Sequence, residues 1–345
     1  MIKRLFTPGM YHGQDNQKVF FEGWYYKMIS ADQNQRWVVI PGIFHHPDPA
    51  RAHSFIQVLN GITNTVEYHR FPFKAFQASS TNFNIQIDSN SFHSQGFTLN
   101  LLGVNQQIQG DLVFGDLKPW PISLISPGVM GPYRFAPFLQ TYHGVLSLDH
   151  EIMGNLKING VDLDFVGGRG YMEKDWGKTF PRAYIWMQSN HFPENDVSLT
   201  ASVATIPWLR GWFRGFLVGF LFDGTLYRFT TYLGSKIIHL SVNDHFVIWT
   251  LQGSSRSNPS AVFSGYRLEI KAHKGQGGLL SSPEVDGMTP RILESLTSDI
   301  EVILAGLNKQ GNNMEIIYQG KGSSAGLEIA GSVNEIADVN KLEEV

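Results

Sequence analysis

"FTLNLLGVNQQIQGDLVF", residues 97–114, decides how the chain is read. Phe97, Leu99 and Leu101 alternate with Thr98 and Asn100, and the two-residue spacing returns at Ile108, Leu112 and Phe114. A helix face would repeat at 3.6 residues, whereas a half-buried strand repeats at two. The same alternation fills "NFNIQIDSNSF" (82–92), "HGVLSLDHEIMGNLKING" (143–160), "DVSLTASVATI" (196–206), "YRLEIKAH" (266–273) and "MEIIYQG" (314–320). Clusters such as "HPDP" (46–49), "ISPGVMGP" (125–132) and "FPEND" (192–196) punctuate them as turns. Strands without intervening helices predict antiparallel sheets, folded as sandwiches or closed barrels. The one helical signal is "TPRILESLTSDIEVIL" (289–304), read as a helix or as a helix running into a strand from Asp299. The acidic end from Asn334 reads as a helix or a loose tail.

Length and composition narrow the class. A chain of 345 residues is more than one core usually serves, so two domains are expected, at 1–160 and 161–345. Two stretches rhyme as tryptophan-bearing strands, "FFEGWYYKMI" (20–29) and "FPRAYIWMQSNHF" (180–192), which suits one barrel opening on each. Charged residues make up 17%, against roughly 25% in an ordinary soluble domain. With 35 Gly and 24 Phe, this composition fits short strands, tight turns and buried rings. The net charge is −3 with no basic block, so no nucleic-acid partner is expected. The absence of cysteine excludes disulfides, thiol nucleophiles and Cys-type zinc sites.

The start of the chain lacks the apolar core of a signal peptide, and the longest apolar run, "GFLVGFLF" (215–222), falls short of the ~20 residues a bilayer span needs. A soluble, cytoplasmic protein is expected, with peripheral membrane contact open at Trp208, Trp212 and Phe213 beside Arg210 and Arg214. The "FDGTLY" turn favours a buried hairpin for 208–229. Residues 118–138 carry five prolines and read as a linker or a lid.

Charge concentrates in "GRGYMEKDWGKTFPRAYIWMQSN" (168–190), where Arg169, Glu173, Lys174, Asp175, Lys178 and Arg182 stand among five aromatic rings. Glu173 and Asp175 lie two apart, so an extended segment points them the same way, with Lys174 opposite. Closely held carboxylates raise one another's pKa, which provides an acid at neutral pH. A surface ion-pair network with Lys174, Lys178 and Arg182 explains the same charges without chemistry. Further on, Tyr184, Trp186, Gln188 and Asn190 share one face, a pattern suited to a ligand or to a core strand with satisfied amides. His143 opens a strand as a single candidate base. The histidines of "FHHPDPARAH" (44–53) match no compact ligand spacing, so no metal is expected.

"EKDWGKTFPRAYIWMQSNHF" (173–192) resembles the signature of the tocopherol cyclase family, and "FFEGWYYK" (20–27) resembles that family's opening strand. "YRFTTYLGSKI" (227–237), "LEIKAHKGQGGLLSSP" (268–283) and "GSSAGLEIAG" (322–331) resemble its later segments, in order. The resemblance implies an all-β protein of two lipocalin-like antiparallel barrels with few helices, in a group that includes carotenoid hydratases. It implies closure of a chroman ring on a prenylated hydroquinone: a proton adds to the tail alkene and the phenolic oxygen captures the cation. Hydration of an isoprenoid alkene is the alternative enzyme, and a lipocalin-like carrier of an apolar ligand is the alternative without chemistry. No cofactor is implied. The residues themselves favour Asp175 as the proton donor, since it adjoins Trp176 and Gly177, whereas the resemblance favours Glu173 with Asp175 as a neighbour that orients it, and His143 is the remaining catalytic candidate. Trp24, Tyr171, Trp176 and Trp186 wall the substrate, and Arg182, Gln188 or Asn190 hold its head. Asp175 stands where the plant-type pattern has Asn, Lys178 replaces a glycine and the middle of the chain is shorter; no plastid transit peptide is read, so a plastid location is not expected.

Overall fold

The computed structural model describes residues 2–14, 16, 18–103, 106–254, 260, 262–309 and 313–339. Among the described residues the one α-helix is the short Ile2–Leu5, and strands dominate the rest. The first sheet has twelve strands, in the spatial order Thr65–Pro72, His53–Asn60, Arg36–His45, Phe20–Ile29, Gly168–Gly177, Thr141–Ile158, Gln107–Gly115, Gly96–Leu102, Asn90–His93, Asn84–Ile87 and Phe76–Ala78, with Val161–Asp164 paired to Thr141–Ile158. The second runs Thr225–Thr230, Gly211–Phe222, Ser198–Trp208, Ala183–Ser189, Met314–Gly331, Gly287–Asn308, Phe263–His273, Phe246–Ser254, Lys236–Val242 and Asp338–Val339, with Gly277–Glu284 paired to Gly287–Asn308. Neighbours along each sheet are antiparallel, apart from the parallel contact of Ser241 and Val242 with Asp338 and Val339.

Each sheet wraps its own core, which makes the chain all-β with two lipocalin-like antiparallel barrels. The alternating residues that suggested strands are the ones that turn inward. Phe97, Leu99, Leu101, Ile108, Leu112 and Phe114 belong to the first core, with Trp24, Tyr26 and Met28 from the Phe20–Ile29 strand. Ile185, Met187, Leu199, Val203, Phe216 and Phe220 belong to the second. Within 208–229 the expected hairpin forms from Gly211–Phe222 and Thr225–Thr230, turning at Asp223 and Gly224 with φ of 48° and 66°, but it is buried only toward that turn: Leu209 is 87% and Trp212 46% exposed.

Two expectations are corrected. The division between the compact units falls at Phe180/Pro181, not at 160/161, because Gly168–Gly177 pairs with both Phe20–Ile29 and Thr141–Ile158 in the first sheet. Gly278–Ile292 also belongs with the first unit, where the Gln57 side chain bonds both ways to the backbone of Ser281. Residues 289–304 are not helical. They lie within the strand Gly287–Asn308, because Ile292, Leu296, Ile300, Val302 and Leu304 are buried at even positions while Leu293 is 54% exposed. That is a sheet period, and tertiary burial overrides the helical start signal of Thr289-Pro290. Asn334 lies in a 3-10 turn, Val333–Glu335, and the acidic end beyond residue 339 lies outside the described residues.

Candidate active site

The strand Gly168–Gly177 sits between two antiparallel partners, and its pleat sorts the charged run into two clusters. Cross-strand partners share a face. His143 stands opposite Asp175 and Val145 opposite Glu173 on one side, while Gly23 and Tyr25 face the same two acids on the other. Trp176, Lys174, Glu22, Trp24, Tyr142 and Gly144 take the opposite face, the one turned to the first core.

On the acid face, His143 Nδ1 donates to Asp175 Oδ1 at 2.9 Å, and its Nε2 lies 3.7 Å from Glu173 Oε2. Tyr171 donates its O–H to the same Glu173 oxygen at 2.5 Å. Tyr171 and Glu173 are buried, whereas the Asp175 side chain is 25% exposed, so the run opens at one end only. Burial alone would lower the His143 pKa. The negative charges of Asp175 and then Glu173, with the Asp175 hydrogen bond, outweigh it and raise the imidazole to about 9. The ring is therefore an imidazolium at neutral pH, held between two carboxyl groups.

On the inner face, Lys174 Nζ is fully buried in an ion pair with Glu22. It also donates to the carbonyls of Pro8 (2.9 Å) and Met10, and to His12 Nδ1 at 2.9 Å. The Glu22 carboxylate in turn accepts the backbone N–H groups of His12 and Gly13. The pair thus ties residues 8–13 to the barrel. His12 stacks on Trp176 with centroids 4.5 Å apart, Tyr142 stacks on Trp176 at 5.6 Å, and the Arg134 guanidinium lies 4.8 Å from that ring. Burial lowers Lys174 to about 8, with Glu22 opposing the shift, and burial lowers His12 to about 4, with the Lys174 charge adding to it. A β-carbon on Gly144 would come to 3.0 Å from Pro8 and 3.4 Å from Trp176, so a larger residue there would have to push the strap back by a few tenths of an ångström.

The expected site is therefore only partly assembled in one place. Glu173, Asp175, His143 and Tyr171 come together. Trp24 and Trp176, expected to wall the acids, are turned away by the pleat to pack on Lys174, whose Nζ lies 4.6 Å and 4.8 Å from their rings. The rings on the acid face are Tyr171 and Tyr25, with centroids 6.4 Å apart. Arg182, Trp186, Gln188 and Asn190 belong to the second unit. Arg182 pairs with Glu335 at 2.7 Å and lies 5.2 Å from the Trp212 ring, and Trp186, Gln188 and Asn190 are buried. Sequence reasoning missed Tyr25 and the partners of Lys174. The available signal was Glu22, an acid sharing the apolar face of Phe20, Trp24, Tyr26 and Met28.

The sequence names no metal site, yet His143, Glu173 and Asp175 offer ligand atoms within 4.8 Å of one another, a donor set usable by a divalent ion. As arranged, the two ring nitrogens face different carboxylates, which suits proton holding. His53, also discounted as a ligand, donates its Nδ1–H to Arg51 O (2.7 Å) and accepts the Tyr68 O–H at Nε2 (2.7 Å). It lines an open groove of about 570 Å³ that also includes Arg70 and Lys74 but none of the three acid-face groups.

The chain is thus an all-β barrel protein in which a tyrosine, two carboxyl groups and an imidazolium stand within proton-exchange distance of one another. A family model described as tocopherol cyclase-like matches residues 132–331, more than half of the chain, and the chain belongs to that family. It is 24% identical over 224 residues to the chloroplastic tocopherol cyclase of Zea mays, a match covering 63% of this chain and 44% of the maize protein. The chain thus aligns with less than half the length of that relative. Among solved structures, the crystal structure of CghA superposes with a TM-score of 0.54 at 11% identity, covering 91% of this chain and 89% of that one. Kievitone hydratase from Nectria haematococca gives 0.50 at 13% identity, covering 94% and 93%. These two likenesses concern the fold.

Proposed function

We propose that the chain closes a ring on a prenylated hydroquinone by protonating the tail alkene, with Glu173 as the acid. The observation that carries this reading is the single buried carboxyl group that meets both Tyr171 and His143. Protonating an unactivated alkene needs a carboxylic acid shielded from water, and Glu173 is the buried member of the pair. Asp175 neutralises the His143 imidazolium, which lets Glu173 hold a proton without leaving the cluster positively charged.

In the forward step a C–H bond forms at the less substituted alkene carbon as Glu173 gives up its proton. The tertiary cation left behind faces the Tyr25 and Tyr171 rings, whose negative faces stabilise it. The phenolic oxygen then forms the C–O bond and its proton returns to Glu173. The reaction is a net isomerisation, and one carboxyl group that gives and takes back a proton suffices.

Hydration is the second reading, favoured by the partial exposure of Asp175, through which water can reach the cation in place of the phenol. A carrier with its ligand in the barrel lumen is disfavoured, because Trp24, Tyr26, Phe92, Phe97 and Phe114 already fill the first interior.

The test is incubation with prenylated hydroquinones of graded tail length, followed by chromatography, ultraviolet spectra and mass. Cyclisation keeps the mass and changes retention and spectrum; hydration adds one water. Recovery of unchanged substrate across the panel would defeat both enzyme readings.

A further inference from the structure

We infer that the loop between the strands Gln107–Gly115 and Thr141–Ile158 docks on a lipid bilayer through the turn Ile122–Ile125. Ser123 and Ser126 close this turn with reciprocal backbone hydrogen bonds, Ser123 N to Ser126 O at 2.9 Å and Ser126 N to Ser123 O at 3.1 Å. The two residues at its tip are Leu124 and Ile125, 82% and 77% exposed, and Ile122 beside them is 46% exposed. Tight turns favour Gly, Asn, Asp, Ser or Pro at such positions. Here the turn carries two large, strongly exposed aliphatic side chains, and its polar side chains are the serine hydroxyls.

The loop is anchored behind that tip. Trp120, Val129 and Met130 are buried, and the loop stays rigidly tied to the site because the His143 backbone N–H lies 3.1 Å from Met130 Sδ and Tyr142 donates to the Ala136 carbonyl at 2.5 Å. Three exposed aliphatic side chains offer too little area for a stable protein interface, which needs several hundred square ångströms per partner. They suit a fluid phase that closes around them. Charge does not oppose that choice: the loop's one acid, Asp116, is neutralised by Lys118 at 2.8 Å, and from Leu117 to Leu148 the chain has no further Asp or Glu. Phe135 and Phe138, about half exposed further along the same loop, add ring surface of the kind that partitions to the bilayer interface.

The inference takes its substrate class from the proposed function. A prenylated quinol resides in bilayers, and a loop that dips into one while contacting the strand of His143 shortens the passage from lipid to acid. The docking itself is read without any turnover, so its failure and that of the enzyme reading are separable.

The experiment is flotation of the full chain with phosphatidylcholine vesicles, with and without phosphatidylserine, comparing the native protein with Leu124→Ser/Ile125→Ser. The native protein is expected to float, and the double variant to lose partitioning by about 10-fold or more while keeping its circular dichroism spectrum. Leu124→Trp, examined with brominated lipids, should show a blue-shifted emission that the bromines quench. Native protein that stays at the bottom of the gradient, or a double variant that floats equally well, overturns the inference. So does a double variant that converts a dimer to a monomer in sedimentation velocity without changing flotation, since a second copy would then be the partner.

Discussion

His143 and Asp175 are register partners across adjacent antiparallel strands, with Nδ1 and Oδ1 2.9 Å apart, while Glu173 approaches the other ring nitrogen at 3.7 Å. An imidazolium flanked in this way reports on the charge of both carboxyl groups, and it can be titrated directly.

The first prediction follows the His143 ring by nuclear magnetic resonance. Asp175 supplies the larger of the two charges that raise its pKa to about 9, so Asp175→Asn should bring it down, with only Glu173 left to oppose burial. Glu173→Gln should lower it by less, and hardly at all if Glu173 already carries the transferable proton. A larger fall in Glu173→Gln than in Asp175→Asn would reverse the roles given to the two acids.

The second concerns stability against pH. His143 has its folded pKa raised from 6.5 to about 9, so its contribution is fully present below pH 6.5 and is lost as the pH rises through 9. The full contribution is on the order of 3 kcal/mol. Urea unfolding of the native protein and of His143→Gln should therefore show a gap that narrows between pH 6.5 and 9. A gap constant over that window would show that the imidazolium is not preferentially held in the folded state.

Catalysis supplies the third. Glu173→Gln should bind a prenylated hydroquinone but lose turnover by at least ~10²-fold, as expected for removal of a general acid. Tyr171→Phe, which removes one hydrogen bond to the carboxyl group and keeps the ring, should lose less, around 10-fold. Full activity in Glu173→Gln would eliminate it as the acid.

The fourth addresses the inner face. Lys174→Met leaves Glu22 charged and buried without its partner, which should cost about 3–5 kcal/mol and expose residues 8–13 to protease. Adding Glu22→Gln should restore much of that loss, because the stranded charge is then gone. Equal stability of Lys174→Met and the native protein, by denaturant titration, would contradict the role of this pair as a strap.

The strand at 287–308 gives the last. Leu296→Ala, at a buried even position, should cost about 2–5 kcal/mol. Leu293→Ala, exposed on the opposite face, should fall within about 0.5 kcal/mol of the native protein. Comparable losses at both positions would contradict a two-residue period.

Much of this protein was legible in its sequence, and the boundary of that legibility has a physical cause. Alternation such as Phe97, Leu99 and Leu101 determines the all-β class, because burying one face of a strand is a local requirement repeated every two residues. The same period placed Glu173 and Asp175 together and turned Lys174 away from them. What alternation cannot show is which strands become neighbours. Only the pairing of Gly168–Gly177 with Thr141–Ile158 set His143 beside Asp175, 32 positions apart, and only its pairing with Phe20–Ile29 gave Lys174 the buried carboxylate it needs. The pleat, by contrast, is local: the same two-residue period separates Trp176 from Asp175 beside it in sequence and sets it with Lys174, and only the tertiary pairing supplied the His12 ring that stacks on Trp176.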